Sequence, residues 1–79
     1  MPKFYYIRIF TPGKINRKRY FARLTGSNKM VITANMRFAK QYTDLKQCEV
    51  EMKELPIIKP VFPAIVFSKD GLSEYEKLN

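Results

Sequence analysis

At 79 residues, 46% hydrophobic and 14% aromatic, the chain has the composition of one folded domain. A domain of this size buries only about 60% of the surface its unfolded chain exposes, which argues against a deep catalytic cleft. The absence of histidine and the single cysteine, Cys48, exclude an internal disulfide, a zinc site, a histidine acid/base pair and a Ser-His-Asp constellation, and the net charge of +8 points to an anionic partner.

Residues 3–10 (KFYYIRIF) alternate like a strand, with Tyr5, Ile7 and Ile9 on one face and Phe4, Tyr6, Arg8 and Phe10 on the other. Thr11-Pro12-Gly13 has the chemistry of a type II turn, a fixed φ followed by a residue tolerant of positive φ. After the basic loop Lys14 to Lys18, residues 19–25 alternate again and set Tyr20, Ala22 and Leu24 against Arg19, Phe21 and Arg23. Gly26-Ser27-Asn28 closes a hairpin into residues 29–33, where Met30 and Ile32 face the core. The first three strands form an antiparallel meander.

Thr33 is read as the N-cap of a short helix through about Gln41, in which Met36 meets Ala39 or Lys40. A second helix starts at Thr43 or Asp44. Asp44 with Gln47 three positions on has the spacing of a capping box, and Leu45, Cys48, Met52 and Leu55 form the apolar stripe that faces the sheet. Pro56 ends that helix. Residues 61–67 read as a fourth strand, which Pro63 confines to an edge because it has no amide proton to donate. Ser73 with Glu76 has capping-box spacing for a last helical turn carrying Leu72, Tyr75 and Leu78. The expected fold is thus α+β, a small single domain over residues 1–79 with the element order βββααβ and a helical tail over 71–79.

Charge divides the chain in two. Lys3, Arg8, Lys14, Arg17, Lys18, Arg19, Arg23, Lys29, Arg37 and Lys40 fall within residues 1–43, which hold no acid; all 7 acids lie from Asp44 onward. Glu49, Glu51 and Glu54 alternate with Lys46 and Lys53 on the second predicted helix, the pattern of a solvated ion-pair face rather than a catalytic carboxylate pair. Gly13-Lys14 and Gly26-Ser27-Asn28-Lys29 lack the spacing of a phosphate-binding loop and read as turns, while Cys48 on the apolar stripe reads as a small buried hydrophobe. No enzyme activity and no cofactor are expected. The opening residues carry Lys3 and Arg8 and no signal-peptide core, and the run 61–67 is far short of the ~20 residues of a membrane span, so a cytoplasmic location is expected.

With Ile7, Ile9, Leu24 and Ile32 turned toward the helices, alternation places Tyr6, Arg8, Phe10, Arg19, Phe21, Arg23 and Lys29 on the opposite face. Rings interleaved with cations suit nucleic acid, DNA or RNA. Tyr6 and Phe21 would stack on bases, while Arg8, Lys14, Arg17, Lys18, Arg19, Arg23 and Lys29 would contact phosphates. The competing reading is that the tail or a second subunit covers these rings; the same basic face would equally suit an acidic protein surface.

Ile32 through Leu55, with Thr33 ending a short strand, Ala39 and Lys40 in a brief helix, Tyr42, and a capped amphipathic helix from Thr43 or Asp44, resembles a pattern in small phage- or prophage-encoded proteins. That resemblance implies an accessory role, such as inhibiting or adapting a host nucleic-acid enzyme or antagonising a defence system.

Overall fold

The computed structural model describes residues 4–13 and 17–71. Lys14 and the expected helical tail, with Leu72, Ser73, Tyr75, Glu76 and Leu78, lie outside the described residues. Among the described residues six elements follow in order: β1 (Phe4–Phe10), β2 (Tyr20–Leu24), β3 (Met30–Thr33), a 3-10 helix (Met36–Phe38), α1 (Leu45–Glu54) and β4 (Phe62–Ser68). The strands make one four-stranded antiparallel sheet in the order β3-β2-β1-β4.

β1 is the axis of this sheet. It pairs with β4 along its whole length, from Phe4 opposite Ser68 to Phe10 opposite Phe62, and Pro63 is accommodated because β4 is an edge strand. On its other side β1 meets β2 only around Arg8 and Tyr20, where the Ile9 amide donates to the Arg19 carbonyl at 2.8 Å. Beyond that point the two strands part, and residues 40–42 fill the gap. Tyr5 and Tyr42 exchange both backbone bonds, at 2.7 and 2.9 Å, while the Lys40 amide donates to the Phe21 carbonyl at 3.0 Å. The insertion supplies partners that β1 and β2 cannot supply to each other, so the backbone remains paired across the split.

This threading explains why one helix forms where two are expected. Thr33 opens a side-chain turn, its Oγ1 accepting from the Asn35 amide at 3.1 Å, and Asn35 caps the Arg37 amide at 3.0 Å. Only a 3-10 turn follows, because Ala39 is already extended at φ −77 and ψ 155 and leads into the segment that enters the sheet. Strand pairing over residues 40–42 thereby displaces the helical hydrogen bonds that the expected helix would have made. The second helix is present as α1. Asp44 caps it through the Lys46 amide at 2.9 Å, but Gln47 turns away to donate to Glu51 Oε2 at 3.2 Å, so the reciprocal half of the capping box is not made.

The threaded segment also carries the chain from one face of the sheet to the other, giving a core on each. Ile7, Ile9, Phe21, Tyr42 and Cys48 form the cluster on the α1 side, joined by Met30, Met52, Leu55 and Ile65. Tyr6, Tyr20, Met36 and Val66 form the second cluster, which the 3-10 helix covers with help from Ala39 and Phe4. Tyr6 and Tyr20 meet edge to face there, with ring centroids 6.3 Å apart.

β2 departs from simple alternation. Phe21 is opposite Ile32, whereas Arg23 is opposite Val31 and Leu24 opposite Met30, so Ala22 is an extra residue and the phase changes at a bulge. Phe21 consequently points toward α1 and Tyr20 away from it, the reverse of the expected phase at the start of this strand. In the β2–β3 hairpin, Asn28 rather than Gly26 takes positive φ, at 60°, and Thr25 Oγ1 accepts from the Ser27 and Lys29 amides. Gly13 has φ 80, as a type II turn requires. No described helix is long and apolar enough to cross a membrane.

Candidate nucleic-acid interface

The residues expected to share one face are distributed over several sites. Tyr6 is 0% exposed and its hydroxyl accepts from Gln41 Nε2 at 2.8 Å; Phe21 is 4% exposed and belongs to the opposite core. Neither ring can stack on an external base. Burial of both sheet faces, which the 3-10 helix completes on one side and α1 on the other, is the physical reason. Arg8 is 8% exposed, held with its guanidinium carbon 4.6 Å from the centroid of the Phe10 ring. It serves the interior.

Arg23 lines a hollow of about 320 Å³ together with Lys40, Glu51 and Glu54, where carboxylates offset its charge. Lys29 lies exposed in the β2–β3 hairpin, at the opposite end of the sheet from the loop 11–19. Lys14 is outside the described residues. Three of the expected residues do come together: Arg17 and Lys18 are exposed and Arg19 follows them half-buried at the foot of β2. Arg19 Nη1 donates to the Lys18 carbonyl at 3.0 Å, which ties the guanidinium back onto its own loop.

Arg17 and Arg19 line one hollow of about 200 Å³ whose other walls are Ile9, Thr11 and Ile32. Because β1, β2 and β3 all bring this end of the sheet together, Arg17 and Arg19 line the hollow beside two isoleucines. No carboxylate lines it among the described residues. Two arginines beside an apolar wall, with a lysine next to them in the chain, can take an anionic oxygen cluster such as a phosphate.

A second hollow, of about 290 Å³, opens where α1 ends and β4 begins. Met52, Leu55 and Ile57 give it an apolar wall, and Lys53, Lys59, Phe62 and Pro63 also line it. It adjoins the arginine hollow through the sheet itself, since Ile9 of the first is the cross-strand partner of Pro63 of the second. Phe62 is 53% exposed and stacks on Phe10, centroids 5.1 Å apart and planes at 11°. In the sequence Phe62 is one residue of an apolar strand and Lys53 one of a solvated helix face, so neither stands out. The one signal available was the sequence Lys59-Pro60-Val61-Phe62, which sets a cation beside a ring at the start of an edge strand.

The titrating groups elsewhere have structural environments. Glu51 Oε1 accepts from Lys40 Nζ and from the Tyr42 hydroxyl, each at 2.8 Å. The Lys40 bond, and after it the Tyr42 bond, hold the Glu51 carboxyl below the ordinary range, while burial and then the bond to Glu51 raise the Tyr42 hydroxyl. Burial, reinforced by the charges of Glu51 and Glu49, pushes the Cys48 thiol up to about 12. Such a thiol is a poor nucleophile at neutral pH. No group of three or more potential metal ligands occurs among the described residues.

No family model matches the chain, and no curated protein and no solved structure matches it either.

Proposed function

We propose that this chain is a non-enzymatic accessory domain that binds nucleic acid, with Arg17, Lys18 and Arg19 contacting phosphates. What supports the reading is the convergence of Arg17 and Arg19 on one acid-free hollow, in a chain of net charge +8. The aromatic sheet face has no part in this form of the proposal, and Arg8, Tyr6 and Phe21 act only in the core. Three cations neutralising phosphates give a slope of log affinity against log salt of about −2 on a single strand. Anisotropy of a labelled oligonucleotide across a salt series tests this. Charge reversal at Arg17 and Lys18 removes most of the slope, whereas reversal at Lys29 leaves it nearly intact. Affinity that stays constant across the series rules the reading out.

A second reading, a phage-type inhibitor or adaptor docking on a host nucleic-acid enzyme or defence protein, is favoured by two exposed apolar side chains, Phe38 and Ile58. With the basic face docked on that partner, it requires negligible oligonucleotide affinity and a stoichiometric protein complex that Arg17 and Lys18 reversal weakens and that Ile58→Lys also weakens. A gel shift run beside a pull-down separates the two readings.

A further inference from the structure

The sheet has an edge at β4 and another at β3, and they are protected unequally. β4 carries Pro63, which has no amide to offer a further strand. β3 carries no proline and no charge, and three of its residues, Val31, Ile32 and Thr33, are β-branched. The hairpin fixes the direction of its backbone groups. The Lys29 carbonyl accepts from the Thr25 amide at 2.8 Å, so Lys29, and by alternation Val31 and Thr33, turn their main-chain groups toward β2. The extra residue of the bulge is on β2, which leaves the alternation along β3 unbroken. The N–H and C=O of Met30 and of Ile32 therefore point outward, and they meet no backbone partner among the described residues.

The side chains of these two residues lie on the α1 face. Met30 packs against the cluster of Ile7 and Phe21, and Ile32, the cross-strand partner of Phe21, lines the arginine hollow with Ile9. Ile32 is nevertheless 43% exposed. A strand added to this edge lies about 4.8 Å beyond β3, and the residue it sets opposite Ile32 has its side chain on the same face. A side chain of glutamate length at that place extends over Ile32 toward Arg17 and Arg19, which make no ion pair among the described residues.

We propose, resting on the second reading above, that the protein partner supplies an extended acidic segment that pairs antiparallel with the outer edge of β3 and sets a glutamate opposite Ile32, beside Arg17 and Arg19. Main-chain bonds at Met30 and Ile32 hold the segment, and the arginines select for its charge. A second copy of this chain fits the edge poorly. Joining β3 to β3 would bring the basic residues Lys29, Arg17, Lys18 and Arg19 of two chains together, each chain of net charge +8, and no carboxylate lines the hollow to offset them. Nucleic acid can use the arginines, but it has no amide backbone to pair with the edge.

The test titrates the full chain with a blocked octapeptide in which glutamate alternates with valine, read by amide NMR shifts and hydrogen exchange. The expected result is that the peptide shifts the Met30 and Ile32 amides and slows their exchange by about 10-fold or more. With a glutamate opposite Ile32, the glutamate N–H groups face β3 and the valine N–H groups face away. N-methylation of the glutamates therefore weakens binding by about 10-fold or more, N-methylation of the valines leaves it nearly intact, and lysine in place of glutamate abolishes it. Ile32→Pro, which removes an outward amide and no ladder bond, also abolishes it. Circular dichroism accompanies this variant, and where it does not fold the paired N-methyl peptides decide on the unaltered protein. Shifts confined to Arg17, Lys18 and Arg19, with both N-methyl peptides binding alike or in the reverse order, overturn strand addition and leave docking of the basic face standing. A peptide that fails to bind while a pull-down still yields a stoichiometric protein complex has the same meaning. Failure of peptide and pull-down together, with an oligonucleotide bound at Arg17 and Arg19, overturns both and assigns the arginines to phosphate. Protection of Met30 and Ile32 that rises with protein concentration in the absence of peptide assigns the edge to a second copy and overturns the proposal.

Discussion

Single residues carry more of the fold than their sizes suggest. Gly71 has φ 77, and a Cβ placed on it would lie 3.1 Å from Gln41 Nε2 and 3.3 Å from the Tyr6 hydroxyl, the two atoms that hydrogen-bond to each other. Gly71→Ala therefore meets backbone strain and a crowded polar contact at once. Its expected cost is about 1–3 kcal/mol, readable by urea denaturation. Asn28 is the opposite case: it takes positive φ in an exposed hairpin, so Asn28→Gly is neutral or slightly stabilising and Asn28→Val costs about 1–2 kcal/mol. The Glu51 carboxyl, lowered by Lys40 and then Tyr42, contributes stability above the unfolded-state value of about 4.3, and this is lost as pH falls through the lower folded-state value. Lys40 is largely solvent-exposed, so the contribution is screened to under about 1 kcal/mol. Glu51→Gln should melt below wild type at pH 7 and converge with it on acidification; curves that stay parallel down to pH 2.5 contradict this account.

Among the elements, those with strong local signals were legible in the sequence and those decided by distant pairing were not. β1 was readable from KFYYIRIF because period-two alternation and β-branched content agree, and α1 from Asp44, its apolar stripe and Pro56. Asp44→Ala is expected to cost about 1 kcal/mol through loss of the cap on the Lys46 amide, measured as a shift in melting temperature. The helix expected from Thr33 was not formed because Tyr5 and Phe21 claim the backbone of residues 40–42, information held far away in the chain. The bulge at Ala22 is similar. Nothing in RYFARLT marks it, yet it separates Arg19 from Arg23 and determines which cations can act together. The candidate site was consequently half visible: Arg17, Lys18 and Arg19 are contiguous, whereas Lys53 comes to line one hollow with Lys59 only through folding.

At the scale of the whole molecule, both faces of a four-stranded sheet are buried by a chain of 79 residues. This uses Tyr6, Tyr20, Phe21 and Tyr42 internally, which is why Tyr6 and Phe21, rings that alternation offered as a binding face, act as core. Ile7, fully buried beneath α1, is at the centre of that arrangement, and Ile7→Ala is expected to cost about 2–5 kcal/mol in equilibrium unfolding. In a domain this small, that is a large share of the total, and the variant should be substantially unfolded at 37 °C.

The way β1 acquires its neighbours has a bearing on how the protein is made. Although β1 leaves the ribosome before the rest of the sheet, most of its ladder is with residues 62–68 and another part with residue 42. Nascent chains halted after β3 should therefore remain protease-sensitive, and resistance should arrive abruptly once β4 has emerged, with no stable N-terminal half along the way.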